Sequence, residues 1–391
     1  MANSVDVMQG PRFELTGSQE AVRAMVREFA ENELRPVVMK YDESQEFPSE
    51  IIRKLAALGF MGLTWPEDLS GAALDDISAA IVVEELARID PSVALTVASH
   101  NSLCTGHIML FGNEQQKRRY VPDLASGRAL GAWGLTEPGS GSDSGGLKTI
   151  ADRDGDDWVL NGSKSFITQG SVGSTYVIMA LTDRNKGKGG ISAFILEKGM
   201  KGFSVGKKEN KLGMRCSDTA TLLFDNVRVP GKNLIGNPGE GFKQALRVLD
   251  GGRVGIAALS VGIAQGALDA SLKYAKERQQ FGRPLTEFQA IQWKLADMAT
   301  EIQAARLLTY RSAWLKTRGD DINLAASQAK LFASEVAVRA TGEAVQIHGG
   351  YGFIKDYPVE KLYRDVKLMT IGEGTSEVQK MVIARNILGG R

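Results

Sequence analysis

At 391 residues the chain is too long for one ordinary core, which sets an expectation of two or three domains. Hydrophobic residues at 43% and charged residues at 24% are usual for a globular protein, and a formal net charge of +1 leaves no bulk field to attract nucleic acid or an anionic membrane. Cys104 and Cys216 stand in unrelated contexts, which excludes a disulfide framework or a zinc spacing and fits a reducing compartment.

The opening, MANSVDVMQGPRFELT, has neither the apolar run of a signal peptide nor the arginine-rich face of a transit peptide. No stretch approaches the ~18–20 apolar residues that would span a bilayer. A cytoplasmic protein without membrane insertion is expected; a mitochondrial matrix protein stripped of its presequence would look the same. Residues 13–126 read as helices. LTGSQEAVRAMVREFAENELRPVV opens with Thr16 and Gln19 in capping-box spacing and is limited by Pro36. PSEIIRKLAALGFMGL gives a second helix ending near Gly59, and ALDDISAAIVVEELARI a third closed by Asp90-Pro91. An apolar segment from Ser92 to about Phe111 and the short, polar NEQQKRRYVPDLASG follow. Over residues 131–235 the pattern changes to short runs of Val, Ile, Thr and Phe between turn residues. Asp154-Gly155 and Asn161-Gly162 both carry hairpin chemistry, and the spacing predicts an antiparallel unit of roughly seven or eight strands. No βαβ alternation is present, which argues against a Rossmann sheet. Residues 239–388 return to helical periodicity in four long segments, 239–277, 286–317, 322–348 and 359–388, a pattern that predicts a four-helix bundle. The fold class expected is α+β multidomain: an N-terminal all-α domain over 1–127, a middle antiparallel β domain over 128–236 and the bundle over 237–391.

Four stretches could carry chemistry. WGLTEPGSGSD (133–143) is a loop rich in amides and hydroxyls that can cradle an anion or a ring edge, although a solvated glycine loop explains it as well. ERQQFGRPLTEFQAIQ (277–292) puts Arg278 and Arg283 beside Phe281, while Thr286 and Gln289 have capping-box spacing that would give Gln289 a purely structural role. QIHGGYGF (346–353) supplies Gly349 as a helix cap and more glycine than a cap needs. IGEGTSEVQKMVIARNIL (371–388) sets Glu373 between two glycines ahead of an amphipathic pattern. Alone, Glu373 reads equally as a base or as an acid favoured by a helix dipole. No HExxH, GxSxG or GxxxxGK pattern occurs, and no metal site is indicated.

In this order and spacing, LTEPGSGSD, KSFIT, RQQFGRPL-x-x-FQ, QIHGGYG and IGEGTSE resemble the acyl-CoA dehydrogenase family across essentially the whole chain, with most likeness to its short-chain, butyryl-type and short/branched-chain members. The resemblance implies an FAD enzyme that converts an acyl-CoA to the trans-2-enoyl-CoA, with Glu373 taking the α-proton and FAD the β-hydride. It implies cofactor contacts from Trp133, Leu135, Thr136, Gly141 and Ser142, and from Phe166, Ile167 and Thr168 beside the flavin ring. Arg278, Phe281 and Gln289, with Gln346, Ile347, Gly349 and Gly350, would hold the FAD of a neighbouring subunit. Thr375, Ser376 and Glu377 would meet FAD where the last helix begins, and Ser142, Asp250, Arg253 and Gly374 would face substrate. A backbone amide from Glu373 and a ribityl hydroxyl of FAD would polarise the thioester carbonyl, and ligand binding would dry the site and raise the acid's pKa.

RVLDGGRVGIA (247–257) offers no glutamate as an alternative base, which argues against an isovaleryl-type enzyme, and GTSE after the base differs from the GTYD of glutaryl types. Asp90 has the arrangement of an N-cap before proline, and a second catalytic acid for cyclic substrates is the weaker alternative. The implied partners are an acyl-CoA, an electron-transferring flavoprotein and three further copies in a homotetramer built as a dimer of dimers. An oxidase using O₂ on the same fold is the remaining alternative.

Overall fold

The computed structural model describes residues 14–389; the readings made on residues 1–13 and on the last two residues lie outside them. Seven helices come first: α1 (Gly17–Phe29), α2 (Val38–Ser44), α3 (Ser49–Ala57), α4 (Asp76–Ala87), α5 (Pro91–Ser99), α6 (Gly106–Phe111) and α7 (Glu114–Ala125). The capping box forms as read: the Gln19 amide donates to Thr16 Oγ1 at 3.3 Å and the Thr16 amide to Gln19 Oε1 at 3.0 Å. The apolar segment read from Ser92 to about Phe111 is one continuous helical run, in which α5 passes through a π-helical turn at His100–Thr105 directly into α6.

Eight strands follow: β1 (Gly131–Gly134), β2 (Ile150–Asp154), β3 (Asp157–Thr168), β4 (Thr175–Leu181), β5 (Ile191–Glu197), β6 (Phe203–Lys208), β7 (Thr219–Val229) and β8 (Leu234–Ile235). They form one sheet of order β6-β7-β3-β2-β4-β5-β8, with β1 also pairing β4. The sheet is mixed rather than wholly antiparallel, because β1 runs parallel to β4 and β2 meets β4 in parallel at Ile150 and Leu181. The Asp154-Gly155 turn joins β2 to β3 as expected. Asn161-Gly162 is not a turn: it lies inside β3, where the register against β7 shifts between Leu160 and Gly162. Strands β4 and β5 are continuous apolar runs because both faces are covered. Val177 and Met179 of β4 pack with α6 and α7, while Tyr176, Ile178 and Ala180 fill the opposite core with Trp158 and Phe224.

The last part holds α8 (Gly241–Glu277), a two-residue pair β9 (Gln279–Gln280) and β10 (Arg283–Pro284), then α9 (Gln289–Thr317), α10 (Asn323–His348), α11 (Val359–Asp365) and α12 (Ser376–Ile387). Three of the four expected long helices are present. The fourth, 359–388, is broken into α11 and α12, with Glu373 in the break. By length and composition α8 could cross a bilayer, but 78% of the qualifying window is buried inside the chain, so it is a core helix. The early and late helices share one apolar core, in which Val83, Leu86 and Val97 meet Ile256, Ile263 and Val336. Two glutamates of α4 are also buried: Glu84 accepts from Arg306 Nε and the Tyr310 hydroxyl, both at 2.8 Å, and Glu85 accepts from Arg27 at 2.7 Å.

Candidate active site

The break between α11 and α12 has a local cause. Gly372 and Gly374 remove the side chains that would sustain helix, and Thr375 caps the new start by accepting from the Val378 amide at 3.3 Å. Glu373 has φ 53° and Gly374 has φ 96°, so two successive residues stand in the left-handed region. For a glutamate that conformation costs about 1–3 kcal/mol and persists only where the surroundings enforce it.

The surroundings come from three helices. At Gly252 of α8 a β-carbon would lie 2.0 Å from Glu373 Oε2, so glycine there is what admits the carboxylate. Fully buried Lys330 of α10 donates Nζ to the Gly374 carbonyl at 2.7 Å. Fully buried Gln379 of α12 donates Nε2 to the Glu373 carbonyl at 3.2 Å and to the Gly374 carbonyl at 3.0 Å. Oε2 of Glu373 is buried with no hydrogen-bond partner among the described residues. Burial pushes the Glu373 carboxyl up to about 7, against the pull of the Arg253 and Lys330 cations. Part of the drying expected from a ligand is therefore built into the chain. Arg253, itself buried, donates to Asp250 at 2.8 Å, and Asn323 donates to the same Asp250 oxygen at 2.8 Å. The expected residues Asp250, Arg253, Glu373 and Gly374 thus meet in one place, with Thr375 at the helix cap and Ser376 donating to Glu335 at 2.6 Å. Glu377 is exposed on the first turn of α12.

A second group forms around the 133–142 loop. Glu137 ties the loop down by accepting from Lys164 Nζ at 2.7 Å, the Lys148 amide at 2.6 Å and the Thr149 amide at 2.9 Å. Burial draws the Lys164 ammonium down to about 8. Lys164 Nζ also donates to the Leu135 carbonyl at 3.1 Å, and the Ser165 amide to the Thr136 carbonyl at 2.9 Å. Beyond this anchor Gly141 and Ser142 are exposed, and a β-carbon at Gly139 or Gly141 would meet nothing. Trp133 Nε1 donates to His107 Nδ1 at 3.0 Å, so Nε2 of His107 carries the proton it gives to Gln244 at 3.0 Å. Burial pulls His107 down to about 4, keeping it neutral. Phe166, at φ 58° where β3 slips against β7, is turned outward and 66% exposed. The Ile167 side chain is in the sheet core, so only its backbone can face a ligand, and Thr168 is half-buried.

The third group lines a cavity of about 510 Å³ between Tyr274, Arg278, Ile347, Gly349, Gly350 and Tyr351. Arg278 stacks over the Tyr351 ring at 5.4 Å, and His348 stacks on Tyr274 with ring centres 4.2 Å apart. Gln346 is exposed beside it, and Phe281 is 93% exposed. The capping box proposed for Thr286 and Gln289 is absent: α9 starts at Gln289 after Phe288, with no side-chain cap, and Gln289 is exposed. The cavity shares no lining residue with the other two groups.

These groups suit FAD. The loop offers open amides and hydroxyls, Phe166 offers an aromatic face, and the cavity offers an arginine among aromatic rings. Sequence reasoning missed Gly252, Lys330, Gln379 and His107. The one signal for Lys330 was a lysine on the alanine-rich stretch ASQAKLFAS; Gly252 and Gln379 had none, because their partners are distant in sequence or on a break not foreseen.

Family models described as acyl-CoA dehydrogenase N-terminal, middle and C-terminal domains match residues 16–128, 132–227 and 239–388. A short-chain specific acyl-CoA dehydrogenase of Clostridium acetobutylicum is 50% identical, covering 96% of this chain and 99% of the relative. Among solved structures, butyryl-CoA dehydrogenase of Megasphaera elsdenii is 45% identical with a TM-score of 0.95, covering 97% of this chain and 100% of the other. A chain from a study of the electron transferring flavoprotein of Acidaminococcus fermentans and flavin-based electron bifurcation is 48% identical, also with a TM-score of 0.95 and the same coverage.

Proposed function

Because the chain belongs to the acyl-CoA dehydrogenase family, we propose that its substrate is a short straight or short branched acyl-CoA and that Glu373 is its catalytic base. The protein is an FAD-dependent oxidoreductase acting on acyl-CoA thioesters. The observation that carries the base assignment is the unpartnered, buried Oε2 of Glu373, with a carboxyl raised to about 7. A carboxylate of that basicity lies closer to a thioester α-proton than a solvated one does, and a free oxygen is available to take it. Bound FAD supplies the acceptor for the hydride that leaves the β-carbon. Arg253 and Lys330 favour the ionised form that must exist before the proton moves. The Glu373 and Gly374 amides have no partner among the described residues and can donate to the thioester oxygen.

The residues from 133–142 and 166–168 would hold FAD on the chain that owns Glu373. The cavity at Arg278 and Gly349, with exposed Phe281 and Gln289, would receive part of the FAD of another copy, which is the reading that calls for a homotetramer. An electron-transferring flavoprotein is the proposed electron acceptor, supported by the neighbour from the bifurcation study.

The test is anaerobic bleaching of bound FAD by a panel of acyl-CoAs. Butyryl-CoA or a short branched acyl-CoA should bleach fastest. Glu373→Gln should keep FAD and lose bleaching by at least a thousandfold, on the order of 4 kcal/mol of barrier. Normal bleaching in that variant would falsify the base assignment.

A further inference from the structure

Lys330 is a lysine on the buried face of α10, with no exposed surface and one hydrogen bond, from Nζ to the Gly374 carbonyl. The base itself does not need that contact: the carboxylate oxygens of Glu373 make no hydrogen bond to Lys330. What the contact grips is the backbone one residue after the base, where the chain runs through two left-handed residues. Gln379 grips the same backbone from α12. Five residues along α10 from Lys330, Glu335 accepts from Ser376 at 2.6 Å, so the start of α12 is fastened to α10 on both sides of Thr375.

We propose that Lys330 is a positioning residue for the dehydrogenation: by fixing the Gly374 carbonyl it sets the direction in which the Glu373 carboxylate projects, and its charge favours the ionised base. The inference rests on Glu373 being the base. The geometry supports it. Among the described residues the Glu373 and Gly374 carbonyls are held only by side chains, Gln379 on both at 3.2 and 3.0 Å and Lys330 on Gly374 at 2.7 Å, so Lys330 is the shorter of the two grips on the Gly374 peptide and the one that comes from a different helix. A buried ammonium is costly to keep for packing alone, and an alkyl side chain would fill the site without that cost. Burial does draw Lys330 down to about 8, and Glu373 opposes that fall. The other charged groups facing Lys330 are Arg253 from α8, Glu335 on α10 and Glu377 on α12.

The experiment uses the FAD-loaded enzyme and reads the limiting rate of anaerobic flavin reduction by butyryl-CoA, its half-saturation, the FAD content and the pH profile. Lys330→Met should slow the limiting rate at least tenfold, with half-saturation and FAD content within twofold of the parent. Its pH profile should move upward, because the cation that stabilises the carboxylate is gone. Lys330→Arg, which keeps charge and donors, should recover part of the rate. Lys330→Gln serves if the methionine variant does not fold. A rate within twofold of the parent, or one that falls only in step with FAD content, overturns the proposal. So does failure of all three variants to load FAD, which would make Lys330 a folding residue. Glu373→Gln run alongside separates the two readings. If it bleaches normally, the base assignment fails; if it is inert while Lys330→Met is unimpaired, only the positioning role fails.

Discussion

A carboxyl buried against the backbone of α8 has consequences for stability as well as for rate. In the unfolded chain Glu373 loses its proton near 4.5, whereas in the folded protein it does so near 7. The folded state therefore holds a proton that the unfolded state has lost, and stability falls as pH rises through that window. At 1.36 kcal/mol per pH unit, the penalty is under about 1 kcal/mol at pH 5 and roughly 3 kcal/mol at pH 8. Glu373→Gln removes the ionisable group. Thermal melts should show the variant gaining on the parent between pH 5 and pH 8; parallel melting curves across that range would rule the assignment out. The motif IGEGTSE made this residue legible in the sequence. Its raised pKa was not legible, because the burial comes from Gly252, which lies more than a hundred positions away in the chain.

At the level of elements, the loop after β1 is held by a buried ion pair with β3. Lys164 has no exposed surface and Glu137 almost none, and between them the pair hydrogen-bonds the backbone of Leu135, Lys148 and Thr149. Removing one partner strands the other charge inside the protein, at a cost of about 3–5 kcal/mol. Lys164→Met should lower the melting temperature and leave a protein that releases FAD on desalting, measured by the absorbance ratio of flavin to protein. Full FAD retention with an unchanged melt would show that the pair does not anchor the loop. The sequence displayed both residues, in LTEPGSGSD and KSFIT, as members of motifs. Their pairing depends on how β3 crosses under the loop, which no local pattern encodes. The split of 359–388 into α11 and α12 is similar: apolar spacing continues through the glycines, so periodicity read one helix, while the cap at Thr375 and the grip of Lys330 decided for two.

Across the whole molecule, Asp90, Lys361 and Asp365 together tie three regions of the chain. Asp90 caps α5 by accepting from the Ser92 amide at 3.0 Å, and the same oxygen accepts from Lys361 of α11 at 2.8 Å. Lys361 also donates to Asp365 at 2.6 Å, and Asp365 accepts from the Met214 amide at 2.6 Å in the segment before β7. Full burial pulls the Lys361 ammonium down, yet Asp365 and Asp90 together hold it well above its usual range. Lys361→Met would leave two carboxylates buried without their cation and should destabilise by about 3–5 kcal/mol. Asp90→Asn keeps the cap and should cost less, with flavin reduction per bound FAD unchanged; a large loss of that rate would restore Asp90 as a second catalytic acid. The amino-acid pattern by itself determined the sequence of helical, β and helical stretches and the motif that carries the base, because periodicity, caps and turn chemistry act between near neighbours. It did not determine that the first and last helical stretches share one core, that α8 opens at Gly252 for the carboxylate, or that Lys330 and Lys361 each find a partner far along the chain. Those contacts form only after the chain has packed, since burial and close approach are properties of residues brought together in space.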